Sequence, residues 1–263
     1  MTDSLAESFD LITGKYGHDE YQEGDLYLPK GDVRGTICLF HGGFWKMPYD
    51  RSEMSPVAIR FARLGFVVWN VEYRRTGTGR GGYPETFEDA VDSVNWLLEL
   101  QKTHRKINLV KVFIAGHSAG GHLALWLDKK GNGITKNVLL VKPSALIGMA
   151  PVVNLEKSYE SNDGNGAVLA LLGVGPDEDR RKYRETSPSE MLPAVSEQLI
   201  LVGTEDTLMP EIESYALLGG ETNSKIEFRK IENCGHMDFV NPSSEAIDLL
   251  IQWIIKRTEK ESA

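Results

Sequence analysis

The 263-residue sequence predicts an α/β protein, a doubly wound and mostly parallel sheet with helices on both faces. Three observations carry this. Several short runs are apolar at every position rather than at alternate ones, as in strands covered on both faces. Between them lie longer stretches with apolar residues at helical i, i+3, i+4 spacing, and strand–helix alternation of this kind gives a parallel sheet. No self-similarity recurs at periods of about 20–50 residues, which removes solenoids and propellers.

Taken in order, residues 21–28 read as an antiparallel leading strand, and RGTICLF (34–40) as the first buried strand. A helix is expected over 54–64, with Val57, Ala58, Phe61 and Leu64 apolar, before the strand GFVVWNV (65–71). Pro84-Glu85 marks a helix start, and residues 86–100 carry Phe87, Ala90, Val91, Val94, Leu97 and Leu98 at helical spacing. The strand KVFIA (111–115) precedes a helix over 119–127, and SALIGMA (144–150) is the next strand. QLILV (198–202), a helix over 212–218, KIEFRKI (225–231) and a helix over 244–255 complete the series. Residues 151–195 do not alternate: they are rich in Gly, Pro, Asp, Glu and Arg, with a short helix expected only around 167–172. The charged run 177–184 reads as a solvated helix turn. We expect a single domain, 1–263, with 151–195 as a small cap, since connections of this length are often functional lids.

Composition narrows the function. With 29 basic against 38 acidic residues, net charge −9, and no basic stripe, nucleic acid is excluded as a partner. Two cysteines, Cys38 and Cys234, make no disulfide framework and fit a reducing compartment. The first residues, MTDSLAE, lack a basic n-region and an apolar h-region, and no apolar run approaches the roughly 18 residues of a membrane helix. A cytoplasmic protein with no membrane partner is expected, its oligomeric state open and a homodimer compatible with the sequence.

The chemistry concentrates in Gly116-His117-Ser118-Ala119-Gly120, directly after a strand and directly before a helix. So tight a turn holds Ser118 in a strained backbone conformation, needs glycines at both flanks, and aims a helix N-terminus at the reacting oxygen. A hydroxyl attacks only when a base takes its proton. Of six histidines, His236 lies in a late strand-end loop; His18 and His104 read as solvated, His117 and His122 as packing. His117 and His122 are five apart and share no helix face, so no metal site is expected. The base needs a carboxylate to fix its tautomer: Asp206, at the end of QLILV, with Glu205 its neighbouring competitor and Asp177 and Asp238 as surface charges. The chain order Ser118, Asp206, His236 is that of one hydrolase fold and of neither chymotrypsin nor subtilisin. His41-Gly42-Gly43-Phe44-Trp45 follows the first buried strand, and its paired glycines let backbone N–H groups approach a developing oxyanion. His41 itself reads as structural.

With these motifs the sequence resembles the α/β-hydrolase superfamily over nearly its whole length. HGGFW with GHSAGGH is similar to the esterase/lipase branch that includes hormone-sensitive-lipase-like esterases, small carboxylesterases and carbohydrate esterases, and kynurenine formamidases. That branch commonly carries HGGG; Phe44 stands in place of the third glycine, nearer the HGGxW form of the formamidases and some carbohydrate esterases. The resemblance implies oxyanion donors at the N–H groups of Gly43, Phe44 and Ala119, and a cap reduced to about 151–195. Trp45, riding on the oxyanion loop, is expected at the substrate pocket, while Trp69, Tyr73 and Trp126 read as core. Arg74 and Arg75 are expected to hold a neighbouring loop by ion pairs, and Cys38 and Cys234 to pack.

The reading is a metal-independent, cofactor-free serine hydrolase for a small or medium carboxylic ester, lactones included. The runner-up substrate is an N-formylkynurenine-like amide. An acyltransferase shares the same acyl-enzyme, and a non-catalytic ligand-binding protein on the same scaffold is the alternative of a different class.

Overall fold

The computed structural model describes residues 8–128, 134–207 and 225–259. Eight strands form one sheet in the order β1-β2-β4-β3-β5-β6-β7-β8. They are β1 (Phe9–Lys15), β2 (Glu23–Pro29), β3 (Gly35–Phe40), β4 (Phe66–Val71), β5 (Val112–His117), β6 (Ala145–Met149), β7 (Gln198–Gly203) and β8 (Ile226–Ile231). β1 and β2 pair antiparallel, as do β2 and β4. All other pairs are parallel. Residues 21–28 therefore contain an antiparallel strand as expected, but it is the second; β1 precedes it. Every strand from β3 to β7 is buried throughout, which is why each reads as an unbroken apolar run. β1 is mostly exposed, Leu11 and Ile12 included, and so carries no such pattern.

Alternate residues of each central strand enter different cores. On β3, Cys38 and Phe40 join Trp69, Ile114, Leu146 and Ile200 on one face. Ile37 and Leu39 join Val68, Phe113, Ile147 and Leu199 on the other. The first face is covered by α2 (Glu85–Thr103) and α3 (Ala119–Trp126), the second by α1 (Ser55–Arg63) and α7 (Glu245–Glu259). All eight residues of α3 are buried, so this helix lies inside the molecule and its first turn is rigidly placed. No described helix is long and apolar enough to cross a membrane. The helix expected over 212–218 lies outside the described residues.

The segment 151–195 is more regular than its composition suggests. It holds three short α-helices, α4 (Leu155–Glu160), α5 (Ala167–Leu172) and α6 (Arg180–Thr186); the second was expected, and the helix turn read over 177–184 extends into the third. Short helices need side-chain caps because few of their backbone groups bond internally. Asn154 accepts from Lys157 N at 2.9 Å and Asp179 from Lys182 N at 3.0 Å. The charged run 177–184 is thus half solvated and half anchored, since Tyr183 is 1% exposed and its hydroxyl donates to Val174 O. Past the cap, the buried Asp128 carboxylate accepts from Val195 N and Ser196 N, both at 2.7 Å, and leads the chain back into β7.

Candidate active site

β5 ends at His117 and α3 begins at Ala119, leaving one residue for the turn. Ser118 has φ 52° and ψ −115°, a conformation that costs an L-residue of order 1–3 kcal/mol and persists only where the surroundings enforce it. The enforcement is visible: Ser118 N donates to Met149 O on β6 at 2.8 Å, and Ser118 O accepts from His122 N at 3.0 Å. Both flanking glycines are required by space. A Cβ at Gly116 would lie 2.2 Å from Gly120 O, and one at Gly120 would lie 2.2 Å from Phe40 O. The first turn of α3 is therefore pressed directly on the end of β3.

The loop leaving β3 has three successive residues with positive φ: Gly43 at 96°, Phe44 at 57° and Trp45 at 52°. Gly42 N is taken by the Glu53 carboxylate. The N–H groups of Gly43, Phe44 and Ala119 make no hydrogen bond among the described residues. The strained loop is held at its far end, where Trp45 O accepts from Thr76 N at 2.8 Å and Thr76 Oγ1 at 3.1 Å. Trp45 was expected at the pocket; its side chain is instead in the core, 1% exposed. An indole N–H buried this deeply needs an acceptor, and it donates to Ala119 O at 3.0 Å while the ring meets His122 edge-on. The half-buried aromatic ring of this loop is Phe44. The cap reaches it there, because a Cβ at Gly164 would fall 2.3 Å from Phe44 Cδ1 and Lys46 Nζ donates to Gly164 O.

His236 comes from the loop between β8 and α7. That loop is stitched across the end of β7: Glu205 N donates to Cys234 O at 3.0 Å, Thr204 N to Ile231 O at 2.9 Å, and Asn233 N to Thr204 Oγ1 at 3.0 Å. The crossing is so close that a Cβ at Gly203 would lie 1.9 Å from Cys234 O. It sets His236 Nδ1 at 2.7 Å from Asp206 Oδ2, with the Asp206 side chain fully buried and that of His236 15% exposed. Glu205, the alternative carboxylate, is exposed, and Asp238 is occupied by Gly235 N. The ring of His117, the residue before Ser118, lies 4.6 Å from the ring of His236. Serine and histidine loops thus meet at one edge of the sheet.

Two further histidines, both buried, face oxygen atoms. His41 contacts Gly42 O at 2.7 Å and Glu72 at 3.0 Å and stacks on Tyr73, the structural role expected of it. His122 Nε2 meets Thr186 O at 2.8 Å. Arg75 pairs with Glu72 at 3.2 Å and Arg74 with Asp89 at 2.7 Å, so both hold loops, as read from the sequence. Burial pushes the Cys234 thiol up to about 11, with nearby carboxylates adding to it, and burial raises Cys38 further. Neither is a thiolate nucleophile at neutral pH. What the sequence reading did not find is the contact of Glu53 with Gly42 and His117; no local motif marks it.

An eight-stranded, mostly parallel sheet with a strand–serine–helix elbow and a histidine–carboxylate pair at the same edge defines an α/β hydrolase. The chain belongs to the BD-FAE family, an α/β-hydrolase family of esterase type, whose model matches residues 25–219. Among solved structures it is similar to a truncated carbohydrate esterase from gut microbiota (TM-score 0.79, 17% identity, 96% of this chain and 98% of that one). It is similar also to esterase B from Lactobacillus Rhamnosis (HN001) (TM-score 0.78, 19% identity, 97% of this chain and 87% of that one). Among curated proteins it resembles the gibberellin receptor GID1A of Arabidopsis thaliana, 26% identical over 220 residues, which cover 76% of this chain and 62% of the receptor.

Proposed function

We propose that this protein is a serine esterase acting through an acyl-enzyme. The observation that carries the reading is the 2.7 Å contact of His236 Nδ1 with the buried Asp206 carboxylate, beside a serine held at φ 52°. Asp206 accepts the Nδ1 proton and leaves Nε2 as the basic nitrogen. His236 takes the Ser118 proton as the oxygen attacks the ester carbonyl, then returns it to the departing alcohol. The tetrahedral oxygen is held by the N–H groups of Gly43, Phe44 and Ala119. Water, deprotonated by His236, releases the acid and restores Ser118. Three side chains and three backbone N–H groups complete this cycle, with no metal or cofactor.

The substrate is a small or medium carboxylic ester, with lactones included. The contact of the Gly164 turn with Phe44 supports this, since it limits the room beside the oxyanion loop. A second reading, cleavage of an aryl formamide such as N-formylkynurenine, rests on the HGGFW form of the loop, where Phe44 replaces a third glycine. The same acyl-enzyme passed to another alcohol would make an acyltransferase. The likeness to a receptor favours testing catalysis directly. A fluorophosphonate probe should label Ser118 in the wild type and leave Ser118→Ala unlabelled. Short p-nitrophenyl esters should be turned over faster than N-formylkynurenine; the reverse preference would replace the ester by the formamide. Absence of labelling and turnover in folded wild-type protein would leave a binding protein.

A further inference from the structure

Glu53 and His117 lie behind the site and the mechanism does not use them. Glu53 stands on the 3-10 turn Arg51–Met54, and His117 is the last residue of β5. Glu53 Oε2 accepts from Gly42 N, at the root of the oxyanion loop, and lies 3.4 Å from His117 Nδ1. The other ring nitrogen, His117 Nε2, is 3.0 Å from the backbone carbonyl of His236. A carbonyl only accepts, so Nε2 carries a proton. Nδ1 faces the Glu53 carboxylate at 3.4 Å and makes no other hydrogen bond among the described residues. The His117 side chain is 2% exposed and that of Glu53 17%, so water does little to screen the pair.

We propose that Glu53 and His117 are positioning residues, a carboxylate–imidazole pair that fixes the oxyanion loop and the His236 loop relative to each other. This rests on the serine-esterase reading. One pair grips two elements distant in sequence, through the Gly42 amide on one side and the His236 carbonyl on the other. Gly42 N–H is thereby directed to Glu53, away from substrate, and the following N–H groups are left for the oxyanion. Burial alone would raise the Glu53 carboxyl, but His117 and the Gly42 amide outweigh it and hold the group below its ordinary value. Neither residue touches substrate in this scheme. Both act by placing groups that do.

The test compares Glu53→Gln, Glu53→Ala, His117→Gln, His117→Ala and the double alanine variant. Each is measured for kcat and KM on a short p-nitrophenyl ester and titrated with a fluorophosphonate to count working sites. Per working site, the single alanine variants should lose roughly 10–100-fold in kcat, with KM within about threefold, because misplaced groups slow chemistry rather than binding. Glu53→Gln, whose amide oxygen still accepts from Gly42, should recover part of the Glu53→Ala loss. The double variant should lose no more than the worse single one, as for members of one unit. Unchanged kcat per titrated site, or losses that multiply in the double variant, would overturn the proposal. Titration counts only folded, competent molecules, so poor folding cannot imitate the effect. Wild-type protein that takes no label would instead sink the esterase reading itself.

Discussion

The indole Nε1 of Trp45 donates to the carbonyl oxygen of Ala119 across 3.0 Å, joining the loop after β3 to the first turn after Ser118. Two backbone segments proposed to supply oxyanion donors are thus held at a fixed separation by one side-chain hydrogen bond. Preorganised donors stabilise developing charge without reorganising as the reaction proceeds.

Replacing Trp45 by Phe keeps a ring in the core and deletes that bond, leaving Ala119 O without its indole partner. The expected loss is about 1–3 kcal/mol of stability, with roughly tenfold lower kcat from the loosened loop. Urea midpoints and steady-state kinetics on one preparation would measure both. Wild-type values for both would show that the bond is dispensable.

Ser118 should be a site of stored strain. Ser118→Gly admits the φ of 52° without a Cβ penalty and should raise stability by about 1 kcal/mol, or roughly 2–4 °C in Tm. Ser118→Ala keeps the Cβ and should not show this gain. Calorimetry on the pair isolates backbone strain from loss of the hydroxyl, because both variants lack it.

Asp206→Asn replaces the acceptor of the His236 Nδ1 proton. On the proposed mechanism the imidazole then favours the wrong tautomer, and kcat should fall by about 10⁴-fold with the fold retained. Glu205→Gln, at the exposed neighbouring carboxylate, should change kcat little. A larger loss at Glu205 than at Asp206 would reverse the assignment.

Gly203→Ala would force a Cβ to 1.9 Å from Cys234 O, where the His236 loop crosses β7. A clash with backbone cannot be relieved by a rotamer change, so we expect more than about 3 kcal/mol of destabilisation, of the order of the largest single-residue effects. Gly31→Ala, with nothing within 4 Å of the added carbon, is the control and should be silent. Thermal denaturation of the two variants suffices to check this.

His122 should make stability depend on pH. Burial pushes its imidazole down to about 4, with the bond to Thr186 O opposing that shift, whereas the unfolded side chain titrates near 6.5. Between those values the unfolded chain holds the extra proton, so stability falls as pH drops from about 6.5 to about 4 and is insensitive to this group above that window. The group contributes about 3 kcal/mol to that fall. Urea unfolding at pH 7.5 and 5.0 should show a smaller difference in His122→Gln than in wild type; equal differences would refute the assignment.

What the sequence reveals of this molecule is what is local. β3 to β7 are buried on both sides, so hydrophobicity alone marks them, and the serine turn needs its two glycines within five residues. β1 escapes because Leu11 and Ile12 point into no core, and α4 because it is under two turns long and set by its cap residue Asn154. Asp206 was preferred to its neighbour Glu205 from sequence, but what separates them is tertiary: the Asp206 side chain is buried against His236 and Glu205 is exposed. Trp45 was placed from its loop, but the acceptor that draws it inward is Ala119, 74 positions away. Glu53 has no motif at all, since its partners Gly42 and His117 come from different strand ends.

The stitching of the β8–α7 loop across β7 has a consequence for how the molecule comes into being. During synthesis the serine turn emerges well before the histidine, and the carbonyl that His117 contacts lies 119 positions further on. On the proposed mechanism, a growing chain therefore carries an unassisted hydroxyl until the segment that bears His236 has emerged and docked against the serine turn.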